Sequence, residues 1–227
     1  MKKMKWALAS LFALFACGVF AEAEKTPAIS AADFQKFGAE FQKSAGADSS
    51  LSMDYGARVM TLGVPVTMKS DEMIPDDKIQ QEVIGLTMKS EKDTTKDFIK
   101  FVKDNDAVVV CCYITADGKV STVVFTKYEF GVTPVPAVPE GFDAYVNDYR
   151  KALNGKASLV VNAGKRVLVS NFAIQKSSAE VKKTAEQIEA DICKAMKNNK
   201  DAQEPVAFAK RNGLIQIFNF VTTDRKM

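Results

Sequence analysis

Histidine is absent from this 227-residue sequence, and its absence excludes more chemistry than any residue that is present. Without histidine the chain has no His-based catalytic triad, no imidazole metal ligand and no ordinary general base at neutral pH. Cysteine is scarce, with four in the chain, and a few cysteines without histidine do not make a plausible zinc site. The sequence therefore predicts neither a metal nor a cofactor.

Motifs that cradle phosphate or build a nucleophile are also missing. The chain contains no G-x-x-x-x-G-K-[ST] loop, no G-x-G-x-x-G after a strand and no G-x-S-x-G elbow, and nothing marks a Ser–Lys pair. The adjacent Cys111 and Cys112 lack the C-x-x-C spacing of a thiol oxidoreductase. We therefore expect a protein that is not an enzyme. A hydrolase that uses two carboxylates stays open, because such residues meet in space and not in sequence.

The N-terminus reads as an export signal. Three lysines within the first five residues precede the apolar run Trp6–Phe20, and Val19–Ala21 supplies small residues at the −3 and −1 positions. This pattern predicts a signal peptide over residues 1–21 with cleavage before Glu22, and hence a periplasmic or secreted protein. The apolar run is too short to span a membrane, which takes about 20 residues, and the rest of the sequence predicts no span.

A second processing site competes with the first. Leu14–Cys17 resembles a bacterial lipobox, which would make Cys17 a lipidated N-terminus and the protein a lipid-anchored envelope protein with a structural role. Phe15 is unusual at its position, and the residues after Cys17 stay apolar as if the leader continued. Maturation at Ala21 that is insensitive to globomycin would remove this alternative.

The charge of the mature chain is balanced. The full sequence has 31 basic and 28 acidic side chains, and removal of three leader lysines leaves 28 of each. No global field therefore favours nucleic acid or anionic lipid as a partner.

The segment Ala107–Phe130 is the strongest local pattern in the chain. Two β-rich runs flank Asp117-Gly118, a pair that suits a two-residue type I′ hairpin turn. Counting back from that turn pairs Cys112 with Val123 and places both, with Val110, on the more apolar face. We assign that face to the core.

The cysteines of the mature chain leave two alternatives open. Cys193 lies on a predicted helix that should cover the sheet, so a Cys112–Cys193 disulfide fits an exported protein. Cys111 points to the other face of its strand, and a bridge between these neighbours would be strained. The alternative is three small buried thiols, because cysteine is often simply buried.

An aromatic stripe marks the first predicted helix. Ser30 is a typical N-cap with an acid three residues on, and Phe34, Phe37 and Phe41 follow at helical spacing. Such a stripe usually packs in a core. The alternative is a partner-binding face made of the same three side chains.

A proline-rich segment, 131–141, follows the central hairpin. Pro134, Pro136 and Pro139 favour an extended, polyproline-like connection to the next helix. A stiff crossover is the simpler interpretation. A recognition arm is the alternative, because such segments dock on a partner at little ordering cost.

Other segments complete the predicted architecture. Gly63 and Pro65 interrupt the β pattern over Arg58–Met68, so we expect an edge strand or two short pieces there, after a loop. Ser177–Glu180 is a capping box that predicts a long amphipathic helix from Ser178. After Pro205 the tail fits either a short helix and a last strand or one continued helix.

A helix followed by a hairpin occurs twice. The second hairpin flanks Asn162–Lys165, and this turn resembles Ala116–Lys119 of the first. Little else matches between the two segments, so we interpret the similarity as one of architecture and not as a proven repeat.

The C-terminal part resembles a known family. The run Val146–Lys151, the Gly155–Ala157 triplet, the hairpin turn at Asn162–Lys165 and the helix from Ser178 are similar in order to the YbjN-like group, whose fold is similar to type III secretion chaperones. The resemblance implies an antiparallel sheet backed by helices, non-catalytic peptide or protein binding, and dimerisation. It implies no catalytic residue, and the export signal departs from a cytosolic chaperone.

These observations predict one α+β domain over residues 22–227. Its antiparallel sheet is built from two β-hairpins plus an edge strand, with the amphipathic helices from Ser30 and Ser178 covering one face. We expect an exported, non-catalytic binding or chaperone-like module with a protein or peptide partner. A homodimer is compatible with this prediction.

Overall fold

The described part of the chain contains five α-helices and seven β-strands. In a computed structural model the described residues are 29–183, 187–188, 190–191, 194 and 200–227. The helices are α1 (Ala31–Ala45), α2 (Asp76–Lys89), α3 (Asp93–Asp104), α4 (Phe142–Leu153) and α5 (Lys200–Arg211). The strands are β1 (Ser50–Asp54), β2 (Val59–Pro65), β3 (Val108–Ile114), β4 (Val120–Phe125), β5 (Ala157–Asn162), β6 (Val167–Ala173) and β7 (Ile215–Val221).

The chain divides into two compact units, each with its own sheet. The N-terminal unit holds the described residues up to Val135 together with Val221–Met227, and the C-terminal unit holds Pro136–Phe220. The strand orders are β1-β2-β3-β4 and β5-β6-β7. The predicted α+β class is confirmed, but the predicted antiparallel sheet is wrong, because both sheets are mixed.

The mixed pairing follows from the connections. A long crossover that contains α2 and α3 joins β2 to β3, and such a connection returns the chain in the same direction. The two strands are therefore parallel, from Val59 opposite Val108 to Pro65 opposite Ile114. The predicted edge strand is an interior one, flanked by β1 and β3. Its proline is tolerated because Pro65 is the last residue of the strand.

Two helices cover one face of the first sheet. Ser30 caps α1 as predicted, since its hydroxyl accepts the Asp33 N–H at 3.1 Å. From α1 and α3, Phe34, Phe101 and other apolar side chains pack onto the sheet and form the core of the N-terminal unit. This core holds the following buried residues: Phe34, Met60, Leu62, Ile79, Phe98, Phe101, Val102, Ala107, Val109, Cys111, Val123, Phe125 and Phe130.

The C-terminal unit has a smaller core, which is also formed by helix side chains packed against a strand. Phe142 and Val146 of α4 and Phe208 of α5 pack with Leu168 of β6 and Leu214. The tail therefore forms a helix followed by a strand, which decides between the two alternatives left open by the sequence. Among the described residues, no helix has both the length and the apolarity needed to cross a bilayer.

The central hairpin is present, but its register differs from the prediction by one residue. Cys111 lies opposite Val123, and Cys112 lies opposite Thr122. The cause is the turn, in which the Thr115 N–H bonds the Lys119 carbonyl at 2.9 Å and closes a three-residue loop. In this loop Gly118 alone has a positive φ, of 78°, whereas a type I′ turn needs two such residues.

The predicted long helix does not begin at Ser178. The Ser177–Glu180 capping box is formed, but it opens a single 3₁₀ turn, Ser178–Glu180, and residues 181–183 are not helical. Most of the predicted apolar stripe beyond this point lies outside the described residues.

One order of elements occurs twice along the chain. Each has a helix, a hairpin, a 3₁₀ turn in which a glutamate side chain accepts the N-cap N–H, a further helix and a strand parallel to the second hairpin strand. The hairpin turn that ends at Arg58 corresponds to the one that ends at Arg166, and these arginines have φ values of 54° and 57°. The repeat thus differs from the one suggested by the sequence, which matched Ala116–Lys119 with Asn162–Lys165.

Specific hydrogen bonds recur at equivalent positions of the repeat. Arg58 Nη1 donates to the Asn105 carbonyl and Arg166 Nη1 to the Asn212 carbonyl, each at 3.0 Å. Identical residues at matched positions are Gly56/Gly164, Arg58/Arg166, Val59/Val167, Ser70/Ser178, Glu72/Glu180, Phe101/Phe208, Lys103/Lys210, Asn105/Asn212, Thr115/Thr222, Asp117/Asp224 and Lys119/Lys226. Because both sequence and hydrogen bonding recur, we interpret the units as an internal duplication.

Candidate functional site

A groove of about 350 Å³ lies in the N-terminal unit beside the start of β4. One wall comes from the 3₁₀ turn Ser70–Glu72 and the residues that lead into α2, and the other comes from the β3–β4 hairpin. The lining residues are Ser70, Asp71, Met73, Ile74, Pro75, Thr115, Lys119, Val120 and Ser121. The groove therefore combines an apolar wall with a polar rim, which is the usual composition of a binding site.

One end of the groove is fixed by a latch between the 3₁₀ turn and the hairpin turn. The Ser70 hydroxyl donates to Asp117 Oδ2 at 2.6 Å, and the Ser70 N–H donates to Oδ1 at 2.9 Å. The Ala116 N–H also bonds the Met68 carbonyl at 2.8 Å. The Ser70 hydroxyl holds the pKa of Asp117 below its usual range, so the latch persists at pH values that protonate an ordinary aspartate.

Farther along β4, Gln80 of α2 bonds the edge of the strand. Its side-chain amide accepts the Val124 N–H at 2.8 Å and donates to the Val124 carbonyl at 2.7 Å. Since β4 is the last strand of its sheet, these two bonds satisfy backbone groups that would otherwise form an open strand edge. Gln80 thus blocks the edge at one residue of β4.

Gln80 does not bond the strand edge at Val120, the first residue of β4. Alternate residues of β4 bond β3, so the main-chain groups of Val120, like those of Val124, point away from β3. The Val120 N–H and carbonyl have no hydrogen-bond partner in the part of the chain that the structure describes. Ile74, across the groove, is 41% exposed. An unpaired stretch of strand edge therefore adjoins an exposed apolar side chain.

The aromatic stripe of α1 lies mainly in the core. Phe34 is 0% exposed, so it is not available to a partner in this fold. Phe37 and Phe41 are half-buried, and the Phe37 ring stacks on Phe101 with centroids 3.6 Å apart. Partner binding through the remaining exposed parts of Phe37 and Phe41 stays a prediction.

The proline-rich segment is extended and exposed at its tip. Pro136 and Pro139 are half-buried, whereas Pro134 and the two valines between the prolines are exposed. The Ala137 carbonyl accepts a bond from Arg166 Nη2 at 3.4 Å. This spacing of burial, every third residue, fits a polyproline-like connection, and its use as a recognition arm stays a prediction.

The cysteines of β3 are buried on both faces of their strand. Cys111 is a free thiol in the core, and burial, followed by the neighbouring Cys112, raises the pKa of Cys111 to about 12. Cys112 lies on the opposite face, 3.8 Å from the Thr122 hydroxyl. Cys193, the predicted disulfide partner, and Cys17, the predicted lipidation site, lie outside the described residues.

A thiol count decides the predicted disulfide. If Cys112 and Cys193 are bridged, the mature protein unfolded without reductant should titrate one free thiol of its three, and reduction should restore all three. Three free thiols before reduction would rule the bridge out. In the native protein we expect Cys111 to resist iodoacetamide at pH 8, because it is buried and its pKa lies far above that pH.

Groups suited to catalysis are few among the described residues. No cluster of three or more Cys, Asp or Glu side chains that could hold a metal is found there. Of the residues that line the groove, one, Asp71, has a carboxylate, whereas a carboxylate hydrolase needs two. Burial lowers the pKa of Lys165 to about 8, but one lysine does not make an active site.

Little in the sequence predicts the groove. Its walls come from two segments that are 47 residues apart along the chain where Ser70 meets Asp117, and Gln80 and Val124 are 44 residues apart. A local signal exists only for the start of α2, where acids follow Pro75. Searches against protein-family models, curated proteins and solved structures match nothing.

Proposed function

We propose that this chain is an exported, non-catalytic protein-binding module of the bacterial cell envelope, and that its partner binds at the groove beside β4. One observation carries the proposal: an unpaired stretch of strand edge at Val120 adjoins the exposed Ile74 in a groove of about 350 Å³. Strand edges and apolar clefts are the features that proteins use to bind segments of other proteins.

The composition supports the same proposal. A chain without histidine, with balanced charge and with an N-terminal export pattern is suited to binding and poorly equipped for catalysis. The resemblance to YbjN-like proteins also implies peptide or protein binding. Dimerisation and the proline-rich recognition arm are secondary proposals of the same class.

The test is cross-linking in intact envelopes. A C-terminally tagged copy is cross-linked in growing cells, and co-purifying proteins are identified and quantified for the parent and for Ile74→Asp. We expect the specific partner to fall about tenfold in Ile74→Asp, since a charge at the centre of an apolar contact opposes binding.

Leu86→Asp is the matched control, because Leu86 is 70% exposed on α2 and does not line the groove. This variant should retain the partner at the parental level. Equal recovery from Ile74→Asp and the parent would contradict the proposed site. Failure to recover any reproducible partner over several growth conditions would contradict the proposed function.

A further inference from the structure

The Gln80 side chain is an internal mimic of a bound peptide. A carboxamide has an acceptor oxygen and an N–H donor that points to the same side, as the carbonyl and N–H of a single strand residue do. Gln80 uses both on Val124, with bonds of 2.7 and 2.8 Å, as a residue of a fifth strand would. The edge of β4 is therefore able to pair with a peptide, and at one position it already pairs with a peptide-like group.

The direction of the main-chain groups alternates along β4, and this determines which residues could pair with an added strand. The β3–β4 ladder bonds through Ser121 and Val123, so the main-chain groups of Val120, like those of Val124, point away from β3. Pairing at Val120 therefore requires no rearrangement of the sheet. The groove lies at this end of the strand, with Ile74 and Pro75 on its far side.

We propose that a short extended segment of a protein partner adds to the first half of β4 as a fifth strand, bonded through its main chain to Val120 and with one apolar side chain in the groove against Ile74. This inference rests on the proposed function and specifies its ligand. Gln80 and α2 block the edge at Val124, so the added segment ends or turns away there and pairs over only a few residues.

The charged residues that line the groove indicate that electrostatic attraction contributes little to binding. Its lining has one cation, Lys119, and one carboxylate, Asp71. These charges balance, so the main-chain bonds and the apolar contact provide the affinity, and salt should change it little. We therefore expect ligands with an apolar residue between small or polar ones, and without proline at the pairing positions.

The probe is a phage-displayed library of random eight-residue peptides, selected on the full mature chain. Enriched peptides are synthesised and titrated against Val120→Pro and Val120→Ala by calorimetry. Both variants lose the valine side chain, but only proline removes the outward N–H, which the β3–β4 ladder does not use. We expect Val120→Pro to bind about tenfold more weakly than Val120→Ala, the loss of roughly one well-formed hydrogen bond.

A second measurement leaves the protein unchanged. Each residue of an enriched peptide is N-methylated in turn, which removes one N–H donor at a time. Strand pairing predicts that affinity falls at alternate positions, because successive N–H groups point to opposite sides. This readout does not depend on whether Val120→Pro folds as well as the parent.

The outcomes separate this inference from the proposed function. Equal binding by Val120→Pro and Val120→Ala, or N-methylation effects without alternation, overturns strand addition. Failure of the library to enrich any peptide that Ile74→Asp fails to bind also overturns it. If envelope cross-linking still recovers a partner that depends on Ile74, the proposed function stands without strand addition. If both fail, the groove is not a binding site.

Discussion

Replacing Phe34 by alanine is expected to lower the free energy of unfolding by about 3–5 kcal/mol, the usual cost of deleting a buried phenylalanine ring. Phe34 is 0% exposed. Its ring centroid lies 5.7 Å from that of Tyr55 and 5.9 Å from that of Phe101. Alanine would leave a cavity between α1 and α3 that these rigid aromatic neighbours cannot fill.

Urea unfolding of the mature protein, followed by far-UV circular dichroism, measures this effect. Leu86→Ala is the matched control and should change the free energy by less than about 0.5 kcal/mol, because Leu86 is 70% exposed. A loss below about 1 kcal/mol for Phe34→Ala would contradict the core assignment. It would also revive Phe34 as part of a partner-binding face, the alternative that its burial now argues against.

Structural features that depend on neighbouring residues were predicted well from the sequence. The Ser30 cap and the second hairpin each depend on a few adjacent residues. The parallel pairing of β2 with β3 depends instead on a crossover of two helices, and no pattern within β2 indicates its neighbour. The polar segment Ser50–Asp54 predicts a loop, but the structure places β1 there; none of its residues is β-branched or aromatic.

The hairpin register shows how one side chain can override a strong turn signal. Asp117-Gly118 suits a type I′ turn, but the Thr115 hydroxyl bonds both the Lys119 N–H and its carbonyl, each at 3.0 Å. These bonds close the loop one residue earlier and shift the pairing. The same threonine and lysine recur at Thr222 and Lys226 with the same bonds at 2.9 and 3.0 Å. A comparison of the two copies would therefore have indicated that this Thr–Lys pair closes the turn.

The candidate site was beyond prediction for a different reason. Nothing in the sequence near Gln80 indicates that its amide would meet Val124, because that contact depends on how α2 packs against the edge of β4. The repeat does show which residues around the groove occur in both copies and which occur in one. Ser70 and Asp117 of the latch recur at Ser178 and Asp224, whereas Ile74 has no matched apolar residue in an equal position, Lys182 standing there instead.

The repeat predicts equal roles for Arg58 and Arg166. In each copy the guanidinium bonds a helix C-terminal carbonyl, that of Asn105 or Asn212, at 3.0 Å. Alanine at either position removes this bond from a charged donor, and at Arg166 also the longer bond to the Ala137 carbonyl at 3.4 Å, so each should lower the free energy of unfolding by about 2 kcal/mol. Both arginines have a positive φ, which costs a non-glycine residue about 1 kcal/mol or more.

Glycine substitutions separate these two contributions. Arg58→Gly and Arg166→Gly lose the same hydrogen bond but relieve the backbone strain, so each should be about 1 kcal/mol more stable than its alanine counterpart. Urea unfolding gives the four values, and Lys151→Ala, which removes an exposed ion pair with Asp148, should change stability by less than about 1 kcal/mol. A large loss of stability at one arginine and none at the other would show that the matched hydrogen bonds contribute unequally to stability. The two copies would then share their structure but not the source of their stability. Similar losses would mean that the same arginine ties the hairpin turn to the helix in both copies, which is why the sequence retains it twice.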